Sequence, residues 1–282
     1  MFSFIANIFG YLLKWLYNLV GGNYGFAILL FTILLRLILL PITIKQQRSL
    51  KKTSELQGKV QEIQFKYKNN QEQMNKEIMN LYKQEKVSPF SGCISAIIQI
   101  IIILSVFWLV SKPLTYMNHV SPDIIDRYKQ EITTDDGKLS NYYEIEIIQK
   151  KSAEHEEVRI NMDFLGLDLS KVPSQNLQDF KVYIIPVLYV ISSIISIRLT
   201  TTKKKDSSDN SNDMAAQMGK SMSYIMPIMA VSIAFVAPLG LALYWFLSNV
   251  LMIVERVLIN KFFDDSKVKD SEPKLIEGKK EE

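Results

Sequence analysis

A single apolar stretch, interrupted by one arginine, constrains the fold more than any other feature of the sequence. It runs for twenty residues from Gly25 to Ile44 and contains Arg36. At a rise of ~1.5 Å per residue, a helix of this length covers about 30 Å, which matches the hydrocarbon core of a bilayer. A guanidinium inside such a span is costly unless it faces water, protein or a partner. The stretch therefore predicts a membrane-spanning helix that carries a buried cation.

Further apolar blocks, separated by polar segments, predict an all-α polytopic membrane protein with five transmembrane helices. Residues 221–258 are too long for one span, and the Pro238-Leu239-Gly240 sequence near their middle predicts a tight turn between two spans. The expected segments are 1–21 (interfacial amphipathic helix), 22–44 (span 1), 45–91 (cytoplasmic antiparallel helical hairpin), 92–111 (span 2), 112–181 (extracellular loop), 182–199 (span 3), 200–220 (cytoplasmic loop), 221–258 (spans 4 and 5) and 259–282 (cytoplasmic tail).

The distribution of charge predicts the orientation of these segments. Residues 45–91 contain ten Lys or Arg against five Glu, and such an excess beside a span marks the cytoplasmic side. The loop at 112–181 carries nine basic against thirteen acidic residues, which suits the outside. We therefore expect the N-terminus outside and the C-terminus in the cytoplasm.

The first twenty residues form an amphipathic pattern. Ser3, Asn7, Gly10, Lys14 and Asn18 recur every three or four residues and so share one face of a helix. This pattern favours a helix lying at the membrane interface. The alternative interpretation is a targeting segment, retained or cleaved, although no basic residue precedes its apolar part.

The hairpin at 45–91 rests on two apolar seams and a turn. One seam contains Leu56, Val60, Ile63 and Tyr67, and the other contains Met74, Ile78 and Leu81. Asn69 and Asn70 between them predict the turn. Basic side chains on the hairpin are either a solvated face that sets the topology or a surface for a partner such as the ribosome. The candidate partner-binding residues are Lys51, Lys52, Lys59, Lys66 and Lys68.

The extracellular loop contains two short alternating patterns. Tyr143–Ile147 and Val158–Met162 alternate between apolar and polar residues, as the strands of a β-hairpin do. We therefore expect a small extracellular β-hairpin here.

Polar side chains inside the apolar spans are the candidate site. They are Thr32 and Arg36 on span 1, Gln99 and Ser105 on span 2, serines on span 3, and Tyr244, Ser248 and Asn249 on span 5. Serine and asparagine in such spans either join helices or line a wet cavity. Arg36 either pairs with Glu255 or faces a water-filled groove, where it awaits an acidic group from outside the protein.

Several function classes lack the residues they need. One cysteine, Cys93, excludes an internal disulfide, and the two histidines show no zinc-ligand spacing. No GxxxxGK[ST] loop occurs, so direct nucleotide use is not expected. We expect neither a cofactor, a metal nor an enzymatic active site.

Several motifs together resemble the YidC/Oxa/Alb family of membrane protein insertases. The likeness covers about residues 22–260. It rests on Arg36 followed by Leu39-Leu40-Pro41, on the sequence LYKQEKVSPFSGC with Gln99 six residues after the cysteine, on FLGLDLS at Phe164–Ser170, and on PLGLALYWFLSN at Pro238–Asn249.

The resemblance implies a five-helix core around a hydrophilic groove in a bacterial plasma membrane. In that family the groove arginine attracts acidic residues of a nascent membrane protein, whose apolar span then moves into the lipid. The implied partners are nascent membrane proteins, the bilayer, the ribosome and the Sec translocon. The implied groove residues are Arg36, Thr32, Gln99, Tyr244, Trp245, Ser248 and Asn249.

Two other classes of function use the same residues. A small-anion channel or secondary transporter would bind its anion at Arg36, but it predicts inverted repeats, which the sequence does not show. A scaffold that recruits partners through the hairpin predicts that Arg36 is dispensable.

Overall fold

The computed structural model of the chain describes residues 2–85, 91–136, 140–200 and 232–262, and these parts are mainly helical. Two short antiparallel strands, β1 (Asp163–Phe164) and β2 (Leu167–Asp168), form a hairpin. The helices are α1 (Phe2–Leu19), α2 (Tyr24–Glu55), α3 (Gln57–Lys66), α4 (Gln71–Gln84), α5 (Ser91–Ser111), α6 (Pro113–Tyr116), α7 (Pro122–Asp136), α8 (Tyr143–Lys151), α9 (Ile184–Thr200) and α10 (Leu239–Phe262).

Three helical stretches in the described residues are long and apolar enough to cross a membrane. They are Tyr24–Thr53, Phe180–Leu199 and Leu239–Lys261, which correspond to predicted spans 1, 3 and 5. This confirms a multi-pass helical membrane protein. Helix α5 contributes a shorter apolar stretch, Ile97–Ser111. Most of predicted span 4 lies outside the described residues, but Ala237 and Pro238 separate a short helix at 232–236 from α10.

The first span continues beyond the end of its apolar stretch. Helix α2 runs unbroken to Glu55, although Pro41 lies inside it. Proline has no backbone N–H, so the Leu37 carbonyl, four residues before it, lacks its usual helical donor. Two residues after the proline, the Thr43 hydroxyl donates to the Leu39 carbonyl at 3.2 Å. Residues 45–55, predicted to open the hairpin, are instead the last turns of α2.

The two helices that follow α2 contact each other. The Asn70 side chain caps α4 by accepting a hydrogen bond from the Gln73 N–H at 3.0 Å, so the predicted Asn-Asn turn leads directly into this helix. Lys59 on α3 reaches Glu85 after α4 at 2.7 Å. The helical pair thus begins at Gln57 rather than at residue 45.

The motifs at Phe164–Ser170 and Pro238–Asn249 meet where α10 begins. The N–H groups of Leu239 and Gly240 donate to the carbonyls of Lys171 and Leu169 at 2.9 and 2.8 Å. Two of the backbone donors that a helix N-terminus leaves unpaired are thereby satisfied. Phe164 packs so closely on Gly25 that a Cβ there would overlap its ring. The β1–β2 segment therefore joins the starts of α2 and α10.

The predicted β-hairpin at 143–147 and 158–162 is wrong. Residues Tyr143–Lys151 form α8, Glu156–Val158 form a turn of 3-10 helix, and the observed strands lie further along the chain. Five alternating residues are too few to separate a period of 2 from a period of 3.6. The burial of Glu144, Ile147 and Ile148, three and four residues apart, shows that α8 packs as a helix.

Helix α1 packs more closely against the rest of the protein than its sequence pattern predicts. Gly10, expected on the polar face, is buried against α6, because its Cα lies beside the Tyr116 carbonyl. Lys14 is half-buried and donates to Asn118 at 2.8 Å. Several apolar side chains of α1 are exposed, namely Phe4, Ile8, Tyr11, Trp15 and Leu19.

A buried carboxylate joins α8 to α6. Glu144 is fully buried and accepts hydrogen bonds from the Thr115 N–H at 3.0 Å and the Thr115 hydroxyl at 2.6 Å. Burial raises the pKa of Glu144, because desolvation outweighs these two bonds and the field of Lys112.

We expect this carboxylate to make the protein more stable at mildly acidic pH than at neutral pH. A raised pKa in the folded state means that the folded protein binds the Glu144 proton more tightly than the unfolded chain does. The ionised form therefore costs stability above the folded pKa, and this cost disappears as the pH falls toward the unfolded value. Thermal unfolding of the detergent-solubilised protein across this range is the measurement. In the Glu144→Gln variant, the unfolding temperature should rise less as the pH falls. An equal rise in the variant and the wild type would contradict the role of Glu144.

Candidate functional site

Arg36 is held by two residues of α10. Its Nη2 donates to the Ser248 hydroxyl at 2.7 Å and to the Ser248 carbonyl at 2.9 Å, and its Nη1 lies 3.4 Å from Glu255 Oε2. Charge-assisted hydrogen bonds of this type are usually about 2.7–2.9 Å long. Arg36 is therefore anchored by Ser248 and only loosely paired with Glu255.

The spacing of residues on α10 explains why they meet Arg36. Tyr244, Ser248 and Glu255 are separated by four and seven residues, which places them on one face of a helix. This face packs against α2, and Tyr244 is buried with its hydroxyl directed at the Ser248 side chain. The three side chains and Arg36 form what we call the arginine cluster.

The arginine cluster is largely, but not completely, shielded from solvent. The side chains of Arg36 and Glu255 are 17% and 11% exposed. A guanidinium has five N–H donors, and the contacts with the described residues engage three of them. The structure thus contains the Glu255 pairing that the sequence left as an alternative to a groove, and it leaves donors of Arg36 for a further acceptor.

Asn249 lies on a different side of α10. Its amide donates to the Ser192 and Ser193 hydroxyls of α9 at 3.1 and 2.9 Å. Adjacent residues of a helix point about 100° apart, so Asn249 does not share the Ser248 direction. The geometry is that of a polar contact joining two transmembrane helices. The structure therefore separates Asn249 from Arg36, with which the resemblance had grouped it.

The remaining predicted groove residues are dispersed. Thr32 is buried one turn from Arg36, and its hydroxyl donates to the Ile28 carbonyl of its own helix at 2.6 Å. Gln99 is exposed on α5, between exposed isoleucines. Trp245 is partly buried and packs on the hydrophobic core. Within the described parts of the spans, the polar residues that meet at Arg36 are therefore Tyr244, Ser248 and Glu255.

The predicted hairpin lysines lie on the last turns of α2, on α3 and directly after α3. Lys51, Lys52, Lys59, Lys66 and Lys68 are all exposed. Lys66 lies over the Tyr67 ring at 5.3 Å, and Lys59 is paired with Glu85. Among the described residues, no group of three metal-ligating side chains occurs.

Sequence reasoning missed Glu144, because that segment was assigned to a strand. No local signal distinguishes it from the neighbouring Glu146, which pairs with Lys150 on the surface of α8 at 3.2 Å. A buried glutamate becomes visible only when the helix that carries it is packed against a neighbour.

Comparisons with known proteins identify relatives of this chain. A protein of Fusobacterium nucleatum named membrane protein insertase YidC is 28% identical over 92% of this chain and 98% of its own length. The protein of the same name from Oceanobacillus iheyensis is 29% identical over 90% of this chain and 82% of its own length. That of Treponema denticola is 28% identical over 85% of this chain, which spans 34% of that longer protein.

A solved structure shares the fold. The crystal structure of an active YidC insertase with its first transmembrane domain resolved has a TM-score of 0.51 and 23% sequence identity. The match covers 89% of this chain and 45% of that one. The sequence model of the family described as 60Kd inner membrane protein matches residues 15–267. The chain therefore belongs to the 60Kd inner membrane protein family, the YidC/Oxa/Alb family of membrane protein insertases.

Proposed function

We propose that this protein moves nascent membrane proteins from the cytoplasm into the bilayer, with the arginine cluster as an intermediate binding site for acidic segments. The observation that carries the proposal is Arg36 itself. Its guanidinium lies within a membrane span, is positioned by Ser248 and retains donors beyond its described contacts. The names of the curated relatives support the same activity.

The energetics of transfer account for both the need for the cluster and the source of the driving force. An acidic residue at the centre of a bare bilayer costs about 3 kcal/mol, whereas each large aliphatic residue gains about 0.5 kcal/mol on entering lipid. A client span of twenty such residues therefore releases about 10 kcal/mol. That gain offsets the passage of a few charges, provided that a polar intermediate lowers the barrier. The proposal requires no nucleotide site.

The proposed topology has five spans around a hydrophilic groove, with the N-terminus outside and the C-terminus in the cytoplasm. Apolar helix α5 and the interruption at Pro238 support the second span and the separation of the last two. The lysine-rich segments on either side of α3 support a cytoplasmic helical hairpin, and α1 is the proposed interfacial helix. We propose the hairpin lysines as contacts for the ribosome or the Sec translocon.

Reconstitution tests this function. Proteoliposomes that contain the purified protein should insert a single-span client, scored by protease protection of its translocated segment, and protein-free liposomes should not. The same vesicles should show no uptake of a small anion such as chloride or phosphate. Anion uptake without client insertion would instead favour a channel or transporter.

A further inference from the structure

Glu255 occupies the position that an arriving acidic segment would need. Its carboxylate lies 3.4 Å from Arg36 Nη1, with both side chains largely shielded from solvent. It lies one heptad from Ser248 on α10, so the same face supplies both the anchor and the counterion of Arg36. The arginine cluster therefore contains one positive charge, on Arg36, and one negative charge, on Glu255.

The two contacts of Arg36 differ in what they contribute. Ser248 makes the two shorter hydrogen bonds, at 2.7 and 2.9 Å, and positions the guanidinium. Glu255 makes the longer contact and supplies most of the charge compensation. Loss of the Glu255 charge would leave the guanidinium in place and increase its attraction for another carboxylate, because screening is weak in a partly buried site.

We propose that Glu255 determines the selectivity of this protein for the charge of its clients, acting as a resident counterion that client carboxylates must displace from Arg36. The inference rests on the proposed function and specifies its substrate class. A client with an acidic translocated segment competes with Glu255 for the donors of Arg36. A client without acidic residues does not compete with Glu255 for Arg36. Glu255 therefore does not affect the insertion of such a client.

The test uses two clients that differ only in two positions of the translocated segment, occupied by aspartate in one and by asparagine in the other. Their insertion rates are compared in proteoliposomes that contain wild-type protein or Glu255→Gln. Glutamine keeps an oxygen that is able to accept from Arg36 but removes the charge. We expect the aspartate client to gain about fivefold, equivalent to roughly 1 kcal/mol. The insertion rate of the asparagine client should change by less than about twofold, a difference that independent sites also show.

Matched variants separate competition from altered folding. Glu156→Gln makes the same chemical change at an exposed side chain of the outer loop, and it should leave both clients unaffected. Glu255→Asp keeps the charge and should resemble the wild type. In an Arg36→Ala background, Glu255→Gln should no longer favour the aspartate client, because the counterion acts through Arg36.

The outcomes distinguish the inference from the function on which it rests. Active wild-type vesicles in which Glu255→Gln leaves the ratio of the two clients unchanged would overturn the inference alone. Persistence of the gain in the Arg36→Ala background would overturn it as well. Wild-type vesicles that insert neither client would overturn the proposed function and, with it, the inference.

Discussion

Insertion of the aspartate client is expected to fall at least about tenfold when Arg36 is replaced by alanine, because hydrogen bonds to a charged partner are worth about 1.5–3 kcal/mol. The asparagine client should lose much less, since its translocated segment presents no carboxylate to the guanidinium. Insertion rates in proteoliposomes with equal amounts of protein are the measurement. Arg36→Lys should retain most of the activity toward the aspartate client, because the charge is kept although the two-pronged contact with Ser248 and Glu255 is not.

Alanine at position 36 also leaves the Glu255 carboxylate without its cation, so a loss of folding must be separated from a loss of charge. The double variant Arg36→Ala/Glu255→Gln removes both charges and should fold as well as the wild type while still inserting the aspartate client poorly. Arg198→Ala removes an exposed arginine at the end of α9 and should leave both clients unaffected. Equal insertion of the aspartate client by wild type and Arg36→Ala would exclude a role for this charge.

The second large effect is expected at Gly10. In a helix interior, glycine to alanine normally stabilises by about 1 kcal/mol. At this position the added methyl group would overlap the carbonyl oxygen of Tyr116, which belongs to the backbone and has little freedom to move. We therefore expect Gly10→Ala to destabilise the protein by about 1–3 kcal/mol, the usual cost of overpacking, by separating α1 from α6.

Gly58 provides the matched control for this substitution. It lies in α3, and no described atom comes within 4 Å of the position that a Cβ would take, so alanine there should stabilise the protein or leave it unchanged. Thermal unfolding in detergent compares the two variants, and limited proteolysis of α1 reports whether this helix has separated. A shift of the same sign for both variants would mean that the Gly10 contact does not hold α1 in place.

The predicted membrane spans depended on composition and length alone. A helix must satisfy its backbone hydrogen bonds within the bilayer, so twenty apolar residues at Gly25–Ile44 are sufficient to predict one. The same reasoning located the helices at Phe180–Leu199 and Leu239–Lys261 and the interruption near Pro238. It also identified Arg36 as an exceptional residue, because a guanidinium within a span is costly unless it finds water or a partner.

The long loop between α5 and α9 was less predictable for a physical reason. The pattern of Tyr143–Ile147 fits a strand and a helix equally well over five residues, and only packing against α6 and α7 selects the helix. The burial of Glu144 follows from the same packing. Short segments take their structure from their surroundings rather than from their own periodicity.

The order of residues is enough to predict a helical membrane protein with a cation in its first span, because the free energy of transferring apolar side chains into lipid is a property of each segment. What that cation touches depends on the packing of the helices. The rotation of α10 directs Ser248 and Glu255 toward Arg36, and it directs the adjacent Asn249 toward Ser192 on α9. A change of one residue on a helix turns a side chain by about 100°, so the partners depend on how two helices face each other.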